Sequence, residues 1–332
     1  KDTKAAFGTN NQKIRDYYLV AMDSVKADKD GIKPITADLA LIDAIKTKED
    51  LLKTTVTLNK KGVGGMIGFF VYADFKNSTA NICYLAQTGL GLPDKDFYFE
   101  PQYEAVKKEY TDHIGRMFEC LGNTPELSKT HAATIMKIET ELAKNCQNAV
   151  EQRDPQKQYN PYTKESLKAM SPNINWEIYF GSIGIATPEK IIVNQPKFYE
   201  GLNGLINSIS VDEWKTFLKW NLLESSAPYL SSKFVNESFR FNGTVLSGKK
   251  EMKPRYKRSQ ASVDDALGEA LGKLYVDKYF DANSKKRVND MVDNLIAAYR
   301  VRIESRDWMS PATKKQAQLK LDKLIKKLGF PR

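Results

Sequence analysis

Two histidines, three cysteines and a scatter of neighbouring carboxylates are the side chains of this sequence best suited to chemistry. A zinc site needs three or four convergent donors. His113 and His131 are separated by the turn signal Gly122-Asn123-Thr124-Pro125, and on one unbroken helix they would stand ~27 Å apart at about 1.5 Å per residue. Neither lies in a His-Glu-x-x-His string, so both read as structural or surface histidines. His113 and Cys120, seven positions apart, would be ~10 Å apart on a helix, too far for a base to activate a thiol. Cys83, Cys120 and Cys146 contain no Cys-x-x-Cys pair and imply neither a disulfide framework nor a metal cluster.

The carboxylate pairs Asp94/Asp96, Glu139/Glu141 and Asp264/Asp265 read as caps or solvated charges, because general acid–base work needs convergence in space. Gly62-Val63-Gly64-Gly65-Met66-Ile67-Gly68 has the look of a dinucleotide-binding turn. That chemistry needs a helix N-terminus after the glycines, and the strand-like Phe69-Phe70-Val71-Tyr72 follows instead. Asn-x-Ser/Thr triplets begin at Asn77, Asn236 and Asn242 and matter only in a glycosylating pathway. No catalytic residue, metal ligand or substrate-binding residue is therefore assigned.

The elements that would have to position such residues are mainly α: a multi-helix domain with a small β-hairpin near 66–86. Helical periodicity covers 12–25, and 36–58 with a break at 46–48. The segments 66–72 and 80–85 are β-branched and aromatic, and the polar residues 74–79 between them make a hairpin. Long helices are expected over 101–121 and 125–150, then over 164–170, 197–208, 211–225, 231–246, 261–280 and 284–306. A last helix starts at Ser310 as N-cap with Pro311 behind it and stops at Gly329 and Pro331. No repeat or long linker divides the chain, so 1–332 is read as one domain.

Composition is that of a globular protein, with 41% hydrophobic and 28% charged residues. No apolar run reaches the ~18 residues of a membrane span. The net charge of +10 concentrates at 249–258 and 314–327. In the second stretch Ala317, Leu321, Leu324, Ile325 and Leu328 recur at helical spacing, so the lysines form a solvated face. No nucleic-acid motif accompanies the charge, and no nucleic-acid partner is expected. A stand-alone basic helical module that binds an acidic protein or nucleic acid is the alternative reading.

Several strings, in order, resemble the neprilysin and endothelin-converting-enzyme family of zinc metalloendopeptidases, in a bacterial-type form. They are Val71-Tyr72-Ala73-Asp74-Phe75-Lys76-Asn77-Ser78, Leu90-Gly91-Leu92-Pro93-Asp94-Lys95-Asp96-Phe97-Tyr98, Arg153-Asp154-Pro155 with Tyr159-Asn160, and Ser171-Pro172-Asn173-Ile174-Asn175-Trp176. Pro254-Arg255-Tyr256-Lys257-Arg258, Gly268-Glu269-Ala270-Leu271-Gly272-Lys273-Leu274-Tyr275-Val276 and Trp308-Met309-Ser310-Pro311-Ala312-Thr313-Lys314-Lys315 complete the set. Ser259 stands where many animal members have cysteine.

The resemblance implies the N-terminal helical lobe only. The family's His-Glu-x-x-His helix, its third zinc ligand and its Asn-Ala-Phe/Tyr substrate strand lie beyond the point matched by Leu328-Gly329-Phe330-Pro331. The expected role is thus a non-catalytic, size-selecting wall of a peptide chamber, inactive alone. Zinc belongs to the full-length parent, with none bound by this chain. The expected partners are the missing C-terminal catalytic lobe of the same polypeptide and short peptide substrates. The expected setting is extracytoplasmic (periplasmic, secreted or surface-anchored), with the cytoplasm as the alternative. Arg332 is expected to mark a trypsin-like cut or an engineered boundary.

Overall fold

A computed structural model describes residues 5–330. The chain opens with α1 (Asn10–Met22), α2 (Ser24–Asp30), α3 (Thr36–Asp43) and α4 (Lys48–Asn59). The strands β1 (Gly68–Asp74) and β2 (Asn77–Ala86) come next, followed by α5 (Asp96–Phe99), α6 (Glu104–Leu121) and α7 (Pro125–Lys144). After β3 (Pro161–Thr163) lie α8 (Lys164–Met170), α9 (Trp176–Ile183) and β4 (Lys190–Val193). Helices α10 (Pro196–Ser208), α11 (Val211–Ser226) and α12 (Ser232–Ser238) precede a π-helical stretch, Phe239–Val245. The last three are α13 (Arg255–Tyr279), α14 (Ala282–Glu304) and α15 (Pro311–Asp322).

Local chemistry explains most boundaries. Thr47 and Asp50 form a reciprocal capping box that starts α4, and Ser210 with Glu213 does the same for α11. Gly122 adopts φ 108° and closes α6, a left-handed conformation that costs glycine nothing. Thr124 caps α7, whose first residue is Pro125. The helix expected over 231–246 instead changes pitch at Phe239. Gly243 fits against the Phe239 ring, where a Cβ would come within 2.4 Å of a ring carbon.

The mainly helical class holds, and the hairpin is part of a larger sheet. Its order is β1-β2-β4-β3, with β1 and β2 antiparallel, β2 and β4 parallel, and β3 and β4 antiparallel. Ile191, Ile192 and Val193 of β4 are wholly buried. A strand with three apolar residues in a row and another of three residues in all are too short to show a period of two.

By contacts the chain divides into two compact units. One unit is Ser24–Met252; the other joins the residues up to Asp23 with those from Lys253 onward. The larger unit holds the hydrophobic core, which includes Trp214, Trp220, Phe118, Phe180, Phe198 and Phe217. The smaller unit packs α1 on α13 and α14 on α15. Arg255 ties the first pair by donating from Nε to the Ala21 carbonyl at 2.9 Å. Ser259 and Val263 are the buried residues of α13, and among the described residues α1, α14 and α15 bury none. Among the described residues no helix is long and apolar enough to cross a membrane.

Candidate functional site

The polar centre of the larger unit begins on two amphipathic helices. In α6 the buried stripe runs Tyr110, His113, Ile114, Met117. In α7 it runs Ile135, Ile138, Glu139, Leu142. Spacings of three and four put each set on one inward face, so His113 and Glu139 occupy core positions. That spacing was readable in the sequence, and it could have flagged Glu139, which was treated there as half of a solvated pair.

Glu139 is enclosed by donors. Its Oε2 accepts from the Tyr98 hydroxyl at 2.7 Å and from the Gly91 N–H at 3.3 Å, and its Oε1 accepts from the Tyr110 hydroxyl at 2.9 Å. Tyr98 in turn accepts from the Leu92 N–H, and Tyr110 accepts from the Trp220 indole at 3.1 Å. Burial pushes the carboxyl up to about 7, and the hydrogen bonds only partly oppose it. A carboxyl with a raised folded value contributes stability that is full below its unfolded pKa of about 4.3 and is lost as pH rises through the folded value. Replacing Glu139 by Gln should therefore flatten the pH dependence of stability between about pH 4.5 and 7. Measured against its difference from wild type at pH 4, the variant should gain up to about 3 kcal/mol by pH 8, at about 1.4 kcal/mol per pKa unit. Denaturant midpoints taken across that range test the sign.

His113 is fully buried between two carboxylates: Nδ1 lies 2.9 Å from Glu237 Oε1 and Nε2 lies 3.2 Å from Glu224 Oε2. Its ring stacks on Phe241 of the π-helical stretch and meets Trp220 edge-on. Burial would lower the imidazole pKa, but the hydrogen bonds and charges of the two glutamates outweigh it and the net shift is upward. Arg116 Nε also reaches Glu237 at 2.8 Å, and Asn242 Nδ2 donates to Glu224 Oε1 at 2.6 Å. Chemically this is a charged bolt between α6, α11, α12 and the π-helical stretch.

The other sequence candidates stay apart. His131 is half-buried on α7, with Nδ1 3.1 Å from the Asn123 side chain. The His113 carboxylates sit on opposite ring nitrogens and do not converge on one point. Among the described residues no group of three or more His, Cys, Asp or Glu could hold a metal ion. Glu141 pairs with the neighbouring Lys144, and Asp94 caps the Asp96 N–H at 2.8 Å. The Gly62–Gly68 run leads into β1, with no helix behind it to receive a phosphate.

The resemblance strings divide between the two units in a telling way. In the larger unit they are fasteners. Buried Asp74 accepts from the Lys76 N–H at 2.9 Å, the Tyr159 hydroxyl at 2.7 Å and the Lys190 ammonium at 3.3 Å. Asn160 Nδ2 donates to the Val193 carbonyl at 3.0 Å, beside β4. Trp176 Nε1 donates to Ser171 Oγ at 3.0 Å, both side chains being buried. Ser171→Ala should orphan that indole and cost about 1–3 kcal/mol in chemical denaturation. In the smaller unit Arg255 of the first string is such a fastener too, whereas the other two strings carry open aromatics: Tyr275 is 61% and Trp308 71% exposed.

Residues 1–331 match the profile of peptidase family M13. The chain belongs to that family. This M13 chain is 28% identical over 326 residues to a neutral endopeptidase of Lactobacillus helveticus, covering 96% of itself and 50% of the relative. It is 25% identical over 347 residues to human endothelin-converting enzyme 1, covering 100% of itself and 44% of the relative. Among solved structures it is similar to the Mycobacterium tuberculosis zinc metalloprotease ZMP1 in complex with inhibitor. That likeness has 35% identity and a TM-score of 0.90, over 96% of this chain and 49% of that one. The M13 chain thus spans about half the length of the relatives it matches.

Proposed function

We propose that this chain is the helical, non-catalytic lobe of a zinc-dependent M13 endopeptidase, where it walls a chamber that admits short peptides and turns folded proteins away. The observation that carries this reading is the family match along 1–331 to one half of longer relatives, one of which is called a zinc metalloprotease. The larger unit has the attributes such a wall needs: a dense aromatic core and buried ionic ties that resist deformation.

The donors present do not fit zinc, because the two carboxylates around His113 face opposite ring nitrogens and both nitrogens are occupied. No step of peptide hydrolysis is therefore assigned to these residues. In this reading metal and catalysis belong to the C-terminal lobe of the same polypeptide, and the setting is extracytoplasmic. Excluding bulk water and large substrates is the contribution that a shell can make to such chemistry.

The test compares the 332-residue chain with the longer polypeptide encoded by its gene. The chain alone should retain no stoichiometric zinc after dialysis and cleave no peptide. The longer polypeptide should cleave short peptides in a chelator-sensitive way and leave a folded protein intact. Stoichiometric zinc and peptide cleavage by the chain alone would overturn the proposal.

A further inference from the structure

The sheet of the larger unit ends on a strand with one free margin. In the order β1-β2-β4-β3, β1 is an outer strand, and among the described residues no backbone group pairs with its far side. Side chains tie its two ends: the Gly68 carbonyl accepts from the Tyr199 hydroxyl at 3.3 Å, and the Ala73 carbonyl accepts from the Tyr84 hydroxyl at 3.0 Å. The stretch between them, Phe69-Phe70-Val71-Tyr72, has no charge and no proline. Its pairing with β2 is regular, and the one shift of register comes after it, between Ala73 and Asp74. Folded proteins blunt such a margin with lysine, proline or a bulge, because its unpaired N–H and C=O groups recruit another strand. Beside this margin stands a row of aromatic side chains. Phe70 and Tyr72 share one face at the strand period of two. Ring contacts run from Phe70 to Tyr84 at 5.0 Å, from Tyr84 to Phe75 at 5.7 Å and from Phe75 to Tyr72 at 6.2 Å. Tyr84 is the buried floor of the row, and Phe70, Tyr72 and Phe75 are exposed.

We propose that the free margin of β1 is a strand-addition site for unstructured peptides that carry bulky apolar side chains at alternate positions. The proposal rests on the preceding reading in one respect, that short peptides are what this lobe meets. A peptide laid along 69–72 pairs its backbone with the outward N–H and C=O groups, and every second side chain then falls beside Phe70 and Tyr72. Backbone pairing gives affinity without a fixed sequence, and the aromatic row sets the preference for apolar residues two positions apart. Such pairing also discriminates by fold. A segment can add to the margin only if its own backbone groups are unsatisfied, which holds for an unstructured peptide and not for a folded protein. Charge favours this occupant over a second copy of the chain. Each copy carries a net +10, so two copies repel, whereas residues 68–73 bear no charge and Asp74 at their end is paired with Lys190. A neutral peptide therefore meets no electrostatic opposition at the margin itself.

The probe is a fluorescent, uncharged peptide of about eight residues in which Phe or Val alternates with Thr, long enough to span a typical strand. Its binding is followed by anisotropy on this chain and, with a chelator present to keep the probe intact, on the longer polypeptide. N-methylation of every second peptide amide leaves the side chains in place and removes the pairing donors, so it should weaken binding about tenfold or more. Tyr72→Ser should weaken binding about threefold to fivefold, the scale of one cross-strand aromatic pair, and leave the urea midpoint unchanged because the side chain is exposed. Bound peptide should slow hydrogen exchange at alternate amides of 69–72 and leave 104–144 as before. Equal affinity for the methylated and unmethylated probes would overturn the proposal, as would no binding of either. Protection of 69–72 in the longer polypeptide without peptide would overturn it too, since the rest of that polypeptide would then be the occupant. So would protection that grows with protein concentration, which would make a second copy the occupant. The outcome is separable from the functional reading: chelator-sensitive cleavage without this binding sinks the strand-addition site alone, and binding without cleavage by the longer polypeptide sinks the enzymatic reading alone.

Discussion

Gly91→Ala should destabilise the larger unit by about 3–5 kcal/mol. A Cβ at Gly91 would lie 1.7 Å from the Tyr110 hydroxyl, inside any permitted contact, so one of the two must move. Tyr110 is poorly placed to yield. It is buried, its hydroxyl donates to Glu139 and accepts from Trp220, and its ring packs on Phe241 and Trp220. Overpacking costs about 1–3 kcal/mol, and each buried polar group left without its partner adds about 1–3 kcal/mol. Equilibrium unfolding in urea should show the loss as a lowered midpoint with an unchanged slope. A companion Tyr110→Phe in the same chain removes the clashing oxygen and should recover part of it. A Gly91→Ala variant as stable as wild type would mean that the loop carrying residues 89–98 is looser than these contacts imply.

His113→Leu should cost about 3–5 kcal/mol, the range for removing one partner of a buried ion pair. Glu237 keeps Arg116 and Glu224 keeps Asn242, but each loses the donor that lies between them. The pH signature separates this from simple repacking. Because the folded imidazole pKa is raised, protonation stabilises the native state fully below the unfolded value of about 6.5, and that contribution is lost as pH rises through the folded value. The penalty of His113→Leu should accordingly be largest near pH 6 and shrink above it. Glu237 works the other way. Burial raises its carboxyl, but the hydrogen bonds of His113 and Arg116 bring the net shift below the usual range, so its contribution is present at neutral pH and lost on acidification. Thermal midpoints of wild type and variant between pH 5 and 9 would show whether the difference narrows as expected.

How much of this was legible follows from how locally each feature is encoded. The start of α15 at Pro311 could be read because Ser310 and Pro311 are adjacent, and α8 matched its expected span because Thr163 and Ser166 cap it within one turn. The resemblance strings also carried through to the family. What they left unsaid was their work: Asp74 and Tyr159 read as letters of separate motifs, Lys190 lies in none, and only the folded chain brings the three to one point. The His113 bolt was unreadable for the same reason, since its partners lie 111 and 124 positions away. Glu139 was the exception. It sat in plain sight on an apolar stripe, where a lone carboxylate among isoleucines and a leucine should have drawn notice.

The parallel pairing of β2 with β4 carries a consequence for synthesis. Cys83 finds its strand partner only at Ile191, about a hundred residues later, and at about 5–20 residues per second the ribosome needs several seconds to deliver it. Throughout that interval the β2 margin of the nascent hairpin is unpaired, and Tyr84 and Leu85, buried in the folded chain, lack the strand that runs beside them. A newborn chain of this design is therefore at its stickiest before β4 emerges, and factors that shield nascent polypeptides have a defined stretch to guard.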